Sequence, residues 1–426
     1  MKLLGVLVGL AACGVASAQP VGQPVAQSDA PKGAIVGRTA AGKFEPLPDK
    51  PALDAEQLLL LLPDVALTET TGAVRLTARP DYLGLSPLPV LETAIVLHKA
   101  TEVALDVTLD RGRIELQNLG TKPAMVRLSF ARQKWSVTLN GDGAKVAIEV
   151  VGRWPAGTDF RPKPAPGYEP TASAVLLQLA GTSSVGNGAT TSSLGAPPGP
   201  ALVTWTSLEA RNPTPTRLDK LPDWADPAHQ YSEALAAKIR SMTAAVAKYR
   251  ALRNEHPATA IDTLLDSANV DERRIGLVVA GAEDDLLRLA EGITEAKDPE
   301  VWDFGITVLR HWLGRGPGQE QKFHRFLTDV RQYSSADAAK LFRLLNGFTA
   351  RERSRPELYD VLIEYLRHDR AAFRNLAAWH LVRLAPDLQP VPFKTNGSKA
   401  DFEPVYTMWR ALIPAGTAPR EAVKAP

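Results

Sequence analysis

From Val103 to Phe160, apolar residues recur at every second position. Leu105, Val107 and Leu109 share a face, as do Val126, Leu128 and Phe130. Trp135, Val137 and Leu139 repeat the pattern, and so do Val146, Ile148 and Val150. A period of two places such side chains on one side of a pleated strand. Between the runs stand Asp110-Arg111-Gly112, Asn118-Leu119-Gly120 and Asn140-Gly141-Asp142-Gly143, residue types that tolerate hairpin turns. The pattern predicts an antiparallel β-meander with one buried face. Shorter runs at 65–68, 73–77, 93–97, 175–179 and 202–208 widen the all-β region to residues 49–211.

Proline and glycine mark the joints. Residues 19–48 are rich in Ala, Gly, Pro and Gln without apolar periodicity and read as a flexible spacer. Residues 181–200, dominated by Gly, Ser, Thr and Pro, read as a flexible loop within the β-region. Pro213, Pro215 and Pro222 make 212–226 a Pro-rich linker.

After residue 226 the period becomes helical. Leu235, Ile239, Met242, Val246 and Tyr249 fall on one helix face. Asp226-Pro227 and Asp298-Pro299 each place a capping acid before a proline suited to the first turn. Short helices are expected at 260–266, 272–282, 285–292, 300–313, 319–331, 336–345, 357–367 and 371–384. No strand intervenes, so 227–386 is expected to stack as a helical solenoid. Residues 271–277 and 369–377 share an acid–basic opening followed by small and apolar positions. Asp369, Arg374 and Ala377 give this region a resemblance to HEAT-type repeats, although no constant period of about 40 residues is readable. Residues 387–426 read as an extension with a short helix and a disordered tail.

The N-terminus changes the compartment. Lys2, the apolar segment Leu3–Ala12 and Ala16-Ser17-Ala18 have the order of a signal peptide, with cleavage between Ala18 and Gln19. Ten apolar residues fall short of the ~20 needed to span a bilayer. The single cysteine, Cys13, sits in Leu10-Ala11-Ala12-Cys13-Gly14, which also matches bacterial lipoprotein processing. Both readings imply export to the periplasm or cell envelope; membrane attachment arises only through a lipid at Cys13. Cleavage after Ala18 would leave a chain without thiol chemistry. Net charge is +2 with mixed signs, so no basic stripe for nucleic acid is present.

Catalytic templates do not fit. The seven histidines never fall at metal-ligand spacings, and no phosphate loop, G-x-S-x-G elbow or dinucleotide fingerprint is found. No catalytic, cofactor or metal residue is assigned. His380 reads as a hydrogen-bonded core member, His311 as a cation at a helix end, and Trp135 as core. Asp106 and Asp110 are expected to face solvent. Trp154, with Arg153 beside it, follows the last strand of the meander. It is read as a cover for the sheet edge, with contact to a ligand or partner as the alternative.

Residues 106–154, above all Leu109-Asp110-Arg111-Gly112-Arg113-Ile114-Glu115-Leu116, resemble the extracytoplasmic FecR-type domain of bacterial envelope sensors. The resemblance implies an all-β domain that acts by binding. Family members typically cross the inner membrane ahead of this domain, whereas this chain opens on a cleavable leader. The fold class expected is thus an N-terminal all-β, meander- or sandwich-like domain followed by an all-α HEAT-like solenoid. The function expected is a non-catalytic envelope protein for sensing, signalling or scaffolding, with a protein partner. A carbohydrate- or cell-wall-binding module, with a glycan as ligand, is the alternative.

Overall fold

The computed structural model describes residues 24–86, 90–188, 190–209, 214–388 and 391–419. Cys13, Ala18 and Gln19 lie outside these, as do residues 420–426 of the expected tail. Strands come first and helices second. Among the described residues the strands are β1 (Ala26–Ser28), β2 (Ile35–Arg38), β3 (Phe44–Pro46), β4 (Ala52–Leu53), β5 (Leu58–Leu61), β6 (Ala66–Glu69), β7 (Val74–Ala78) and β8 (Thr93–His98). They continue as β9 (Leu105–Asn118), β10 (Ala124–Phe130), β11 (Gln133–Arg153), β12 (Thr171–Gly186), β13 (Thr191–Gly195), β14 (Gly199–Thr206) and β15 (Thr216–Leu218). All join one mixed sheet.

The alternating face is the core of this sheet. The twelve residues of the four runs, from Leu105 to Val150, are all buried in one cluster. Two of the expected turns, however, are bends within strands. Gly112, at φ 99°, lies inside β9, and Gly141 and Gly143, at φ 81° and 71°, lie inside β11. Across Asn140–Lys145 the register with β12 shifts. Glycines in the left-handed region insert extra residues into one strand and bend it, which need not reverse the chain. After Asn118, whose Nδ2 donates to the Lys122 carbonyl at 2.8 Å, the chain connects to a strand that pairs with β9 in parallel, so this segment is no hairpin either. A tight reversal occurs at Ala131-Arg132, both at positive φ although neither is glycine.

The meander is also not wholly antiparallel. β10 pairs with β9 in parallel, Val126 opposite Leu105, while β11 pairs antiparallel with both. Each of the three strands therefore borders the other two. The sheet rolls around its apolar face, which is how one period-two pattern encloses a whole core.

The joints are more ordered than their composition implies. Residues 26–46 hold β1, β2 and β3, with β1 pairing β4 and β6, and β2 pairing β3 and β5. The 181–200 segment is a hairpin: β12 runs on to Gly186, β13 returns along it, and Val185 and Leu194 are buried. In the Pro-rich segment, β15 pairs β14, and Trp224 packs near Ala147, Leu177 and Ala201. Partner strands distant in sequence satisfy these short backbones, and composition carries no trace of such partners.

The helices are α1 (Glu233–Glu255), α2 (Ala260–Leu265), α3 (Val270–Ala282), α4 (Leu286–Glu295), α5 (Pro299–Gly314), α6 (Gln319–Arg325), α7 (Ser335–Asn346), α8 (Ala350–Arg353), α9 (Pro356–Tyr365), α10 (Ala371–Leu384) and α11 (Lys399–Leu412). A π-helical turn, Phe326–Val330, extends α6. Asp298 caps α5 by accepting from Glu300 N at 2.8 Å. Asp226 caps only a turn, accepting from Ala228 N at 2.9 Å, and α1 instead starts after Ser232, whose Oγ accepts from Leu235 N. The C-terminal extension is part of the helical core, because Phe402, Val405 and Trp409 of α11 are buried in it.

Candidate functional site

The β-rich and helical parts meet along a seam that starts at the Asp110-Arg111-Gly112 bend. Gly112 has the conformation and the clearance it needs: a Cβ there would stand 1.9 Å from the Glu92 carbonyl oxygen. The bend turns the Arg111 side chain onto Glu92, which also pairs with Arg315 Nη2 at 2.5 Å and lies 3.7 Å from His311 Nε2. Arg111 Nη2 donates to the Ala282 carbonyl at the end of α3, 3.2 Å away. Arg315 reaches Asp284 Oδ1 at 3.3 Å, and Trp312 Nε1 donates to the same oxygen at 3.0 Å. Glu92, Arg111, His311 and Arg315 are thus one buried ionic knot, built from the residue before β8, from β9, and from the end of α5 and the residue that caps it.

Electrostatics decide its charge state. Burial pushes the Glu92 carboxyl up, but Arg111 and Arg315, helped by His311, outweigh it and hold the group well below the usual carboxylate range. Burial is the main cause that lowers His311 below its ordinary value, so its imidazole is neutral at pH 7. His311 is therefore a buried member of the knot and carries no helix-end charge there. Asp106 too differs from expectation: it is buried and bonds Arg127 Nη1 at 2.9 Å, whereas Asp110 stays partly exposed.

A second buried pair lies one strand over. Arg113 Nε donates to Glu149 Oε1 at 2.5 Å, Ser86 Oγ lies 3.0 Å from the same oxygen, and the guanidinium stacks 3.8 Å from the Trp224 ring centroid. Burial pushes the Glu149 carboxyl up, more than Arg113 and Ser86 draw it down. Arg113 of this pair forms part of one wall of a cleft of about 700 Å³, within the ~300–1,000 Å³ usual for ligand sites. The other walls are the 29–34, 62–66 and 80–85 segments, Tyr231, and the Ile239–Met242–Val246 face of α1. Asp81 shapes the rim by accepting from Leu83 N, Gly84 N and Ser86 N at 3.1, 2.9 and 2.6 Å. The cleft is a largely apolar slot between sheet and helix, with Asp29, Asp64, Asp81, Arg113 and Arg250 as its charged lining and Tyr82, Trp224 and Tyr231 as its aromatic lining.

Trp154 is a seam residue. It is buried, its Nε1 donates to the Leu313 carbonyl at 3.1 Å, and its ring packs against Tyr168 and Phe342 at centroid distances of 4.8 and 5.5 Å. It covers the sheet end from beneath the helices and presents no free face to a ligand, which corrects the contact role weighed for it. Arg153, by contrast, is exposed. Next to both, β11 and α5 touch backbone to backbone: a Cβ on Gly152 would lie 1.9 Å from the Gly314 carbonyl oxygen.

His380 is the core member its spacing suggests. It is buried, and its Nε2 donates to the Leu344 carbonyl at 2.7 Å. Trp135 is core as well, edge-on to Phe130 at 4.9 Å. Among the described residues, no three His, Asp, Glu or Cys side chains gather in a metal-ligand cluster, and no helix is long and apolar enough to cross a membrane. Sequence reasoning missed Glu92, Glu149 and Trp224. For Glu92 a signal existed, because an acid inside Val90-Leu91-Glu92-Thr93-Ala94-Ile95 cannot avoid burial unless the run is a surface one. No family model, curated protein or solved structure matches the chain.

Proposed function

We propose that this chain is an exported, non-catalytic protein of the bacterial envelope that binds a protein partner, as a sensing or scaffolding element. In this reading the β-region is of the FecR type and the helices form a HEAT-like array. The supporting observation is the cleft of about 700 Å³ that both parts wall, since its largely apolar lining with polar groups at intervals suits an apolar segment of a partner. The helical reading draws on a likeness between α3 and α10. Each buries an arginine one turn from its start, Arg274 bonded to Glu300 at 2.9 Å and Arg374 to the Asp369 and Gly397 carbonyls at 2.8 Å, with buried Leu277 or Ala377 three residues on.

Two measurements test this. N-terminal mass analysis of the mature protein should give Gln19 or an acylated Cys13 as first residue; an intact leader on a cytoplasmic protein would end the export reading. An envelope protein captured by the full chain should be released by Thr243→Trp, which places an indole in the cleft from an exposed position of α1. Capture unchanged by that substitution would remove the cleft from the function. With Trp154 enclosed, a glycan in the cleft would meet Tyr82, Trp224 and Tyr231 as its aromatic lining.

A further inference from the structure

Between the end of β11, the start of β12 and the later turns of α5 is a small pocket of about 120 Å³. Its polar lining is Arg153, Thr171, Ser173, Thr307, Arg310 and His311, and it contains no acid. That is unusual for this protein. Arginines elsewhere on the seam are paired with carboxylates, as Arg111 and Arg315 are with Glu92.

Neither guanidinium in the pocket has an ion pair or hydrogen bond to a described residue. Arg310 has only a distant stacking contact, 5.9 Å from the Trp379 ring centroid. Of the two acids on its own helix, Glu300 pairs with Arg274 and Lys238, and Asp303 is occupied by Arg383 at 2.6 Å and by Trp379 Nε1 at 2.5 Å. Burial first, and then repulsion from Arg153 and Arg383, makes the Arg310 charge harder to keep. Thr171 Oγ1 is buried without a partner, and both ring nitrogens of the buried His311 lack a hydrogen bond. Thr307 Oγ1 already donates to the Asp303 carbonyl at 3.2 Å, which leaves Thr171 and Ser173 as the hydroxyl donors.

Two like charges converging without an ion pair of their own, with only the already occupied Asp303 acting on Arg310 from a distance, and next to an unsatisfied hydroxyl, leave a deficit of negative charge and acceptor atoms. A compact oxyanion supplies both, because several acceptor oxygens can bridge guanidinium forks and hydroxyls at once. The volume is well above the ~10–15 Å³ that holds one water. The close backbone contact of Gly152 with Gly314 holds together the two elements, β11 and α5, that carry the arginines. Arg310, four residues before Gly314 at the end of α5, lies near that helix's negative end, but the dipole gives no reason for a second arginine from β11 beside it.

We propose that this pocket is an oxyanion site, taking phosphate or the phosphate group of a larger molecule between Arg153 and Arg310.

The test is calorimetric titration of the full chain with inorganic phosphate at constant ionic strength, with acetate and glycerol phosphate as parallel titrants. Saturable phosphate binding in the millimolar range or tighter is expected, with acetate at least tenfold weaker. Arg153→Gln, at an exposed position, should weaken phosphate about tenfold or more, and Arg153→Lys should recover part of the loss. Arg310→Gln should act in the same direction. Glycerol phosphate binding more tightly than the free ion assigns the site to a phosphorylated molecule, and the reverse order assigns it to phosphate itself. No saturation by about 20 mM phosphate, or an affinity untouched by Arg153→Gln, overturns the proposal.

Discussion

Gly112 carries more of this structure than its size implies. Its φ of 99° and a Cβ position 1.9 Å from a backbone oxygen leave no room for alanine. Gly112→Ala should therefore cost about 3 kcal/mol or more, from backbone strain and overpacking together. A denaturant midpoint within error of the wild type would refute that. His380 makes a pH prediction. Burial lowers it from 6.5 to about 4, so between those values the unfolded chain binds more protons than the native one. Stability contributed by the neutral imidazole is present above about 6.5 and is lost as pH falls towards 4, by about 3 kcal/mol at most. His380→Gln keeps a donor for the Leu344 carbonyl without titrating, and should flatten the fall in unfolding free energy over that window. Equal slopes for both proteins would exclude His380 as the source. Asp106 shows why single residues mislead: its place in the alternation was legible, but the arginine that lets it be buried comes from another strand.

At the scale of elements, the four runs of the meander were legible because each needs only its own periodicity, and every one of their apolar residues lies in the core. The chain reversals were less so. Positive-φ glycines serve turns and bulges alike, and only the partner strand distinguishes them. Gly141→Val and Gly143→Val should each lower stability by about 1–2 kcal/mol through the left-handed backbone, while near-native circular dichroism persists because β11 continues on both sides. Loss of the folded sheet from either substitution would mean that the segment is a turn holding the hairpin together. Helices were more legible than short strands. The expected 371–384 helix coincides with α10, whereas β1, β2, β3 and β13 fell in segments read as spacer or loop. A helix satisfies its backbone locally, and a three-residue strand borrows its partners from elsewhere.

For the whole molecule, the seam makes the two parts interdependent. Trp154 and Leu91 belong to the helical core, and Arg111 to a knot shared with α5. Glu92→Gln would leave Arg111 and Arg315 buried without their common counterion, at a cost of about 3–5 kcal/mol. In the wild type, tryptophan fluorescence and far-ultraviolet dichroism should report coincident denaturant transitions, as expected of one cooperative unit. Two separated transitions would show that the sheet and helices unfold independently. The division between β-rich and helical parts, the buried face of the meander and the positions of most helices follow from local periodicity, so the sequence alone determined them. The roll formed by β9, β10 and β11, the Glu92 knot, the cleft and the paired arginines of the oxyanion pocket were decided only by tertiary structure. Each depends on which residues from separate elements meet, and neither period nor composition records such a meeting, whether the partners stand about twenty or more than a hundred positions apart.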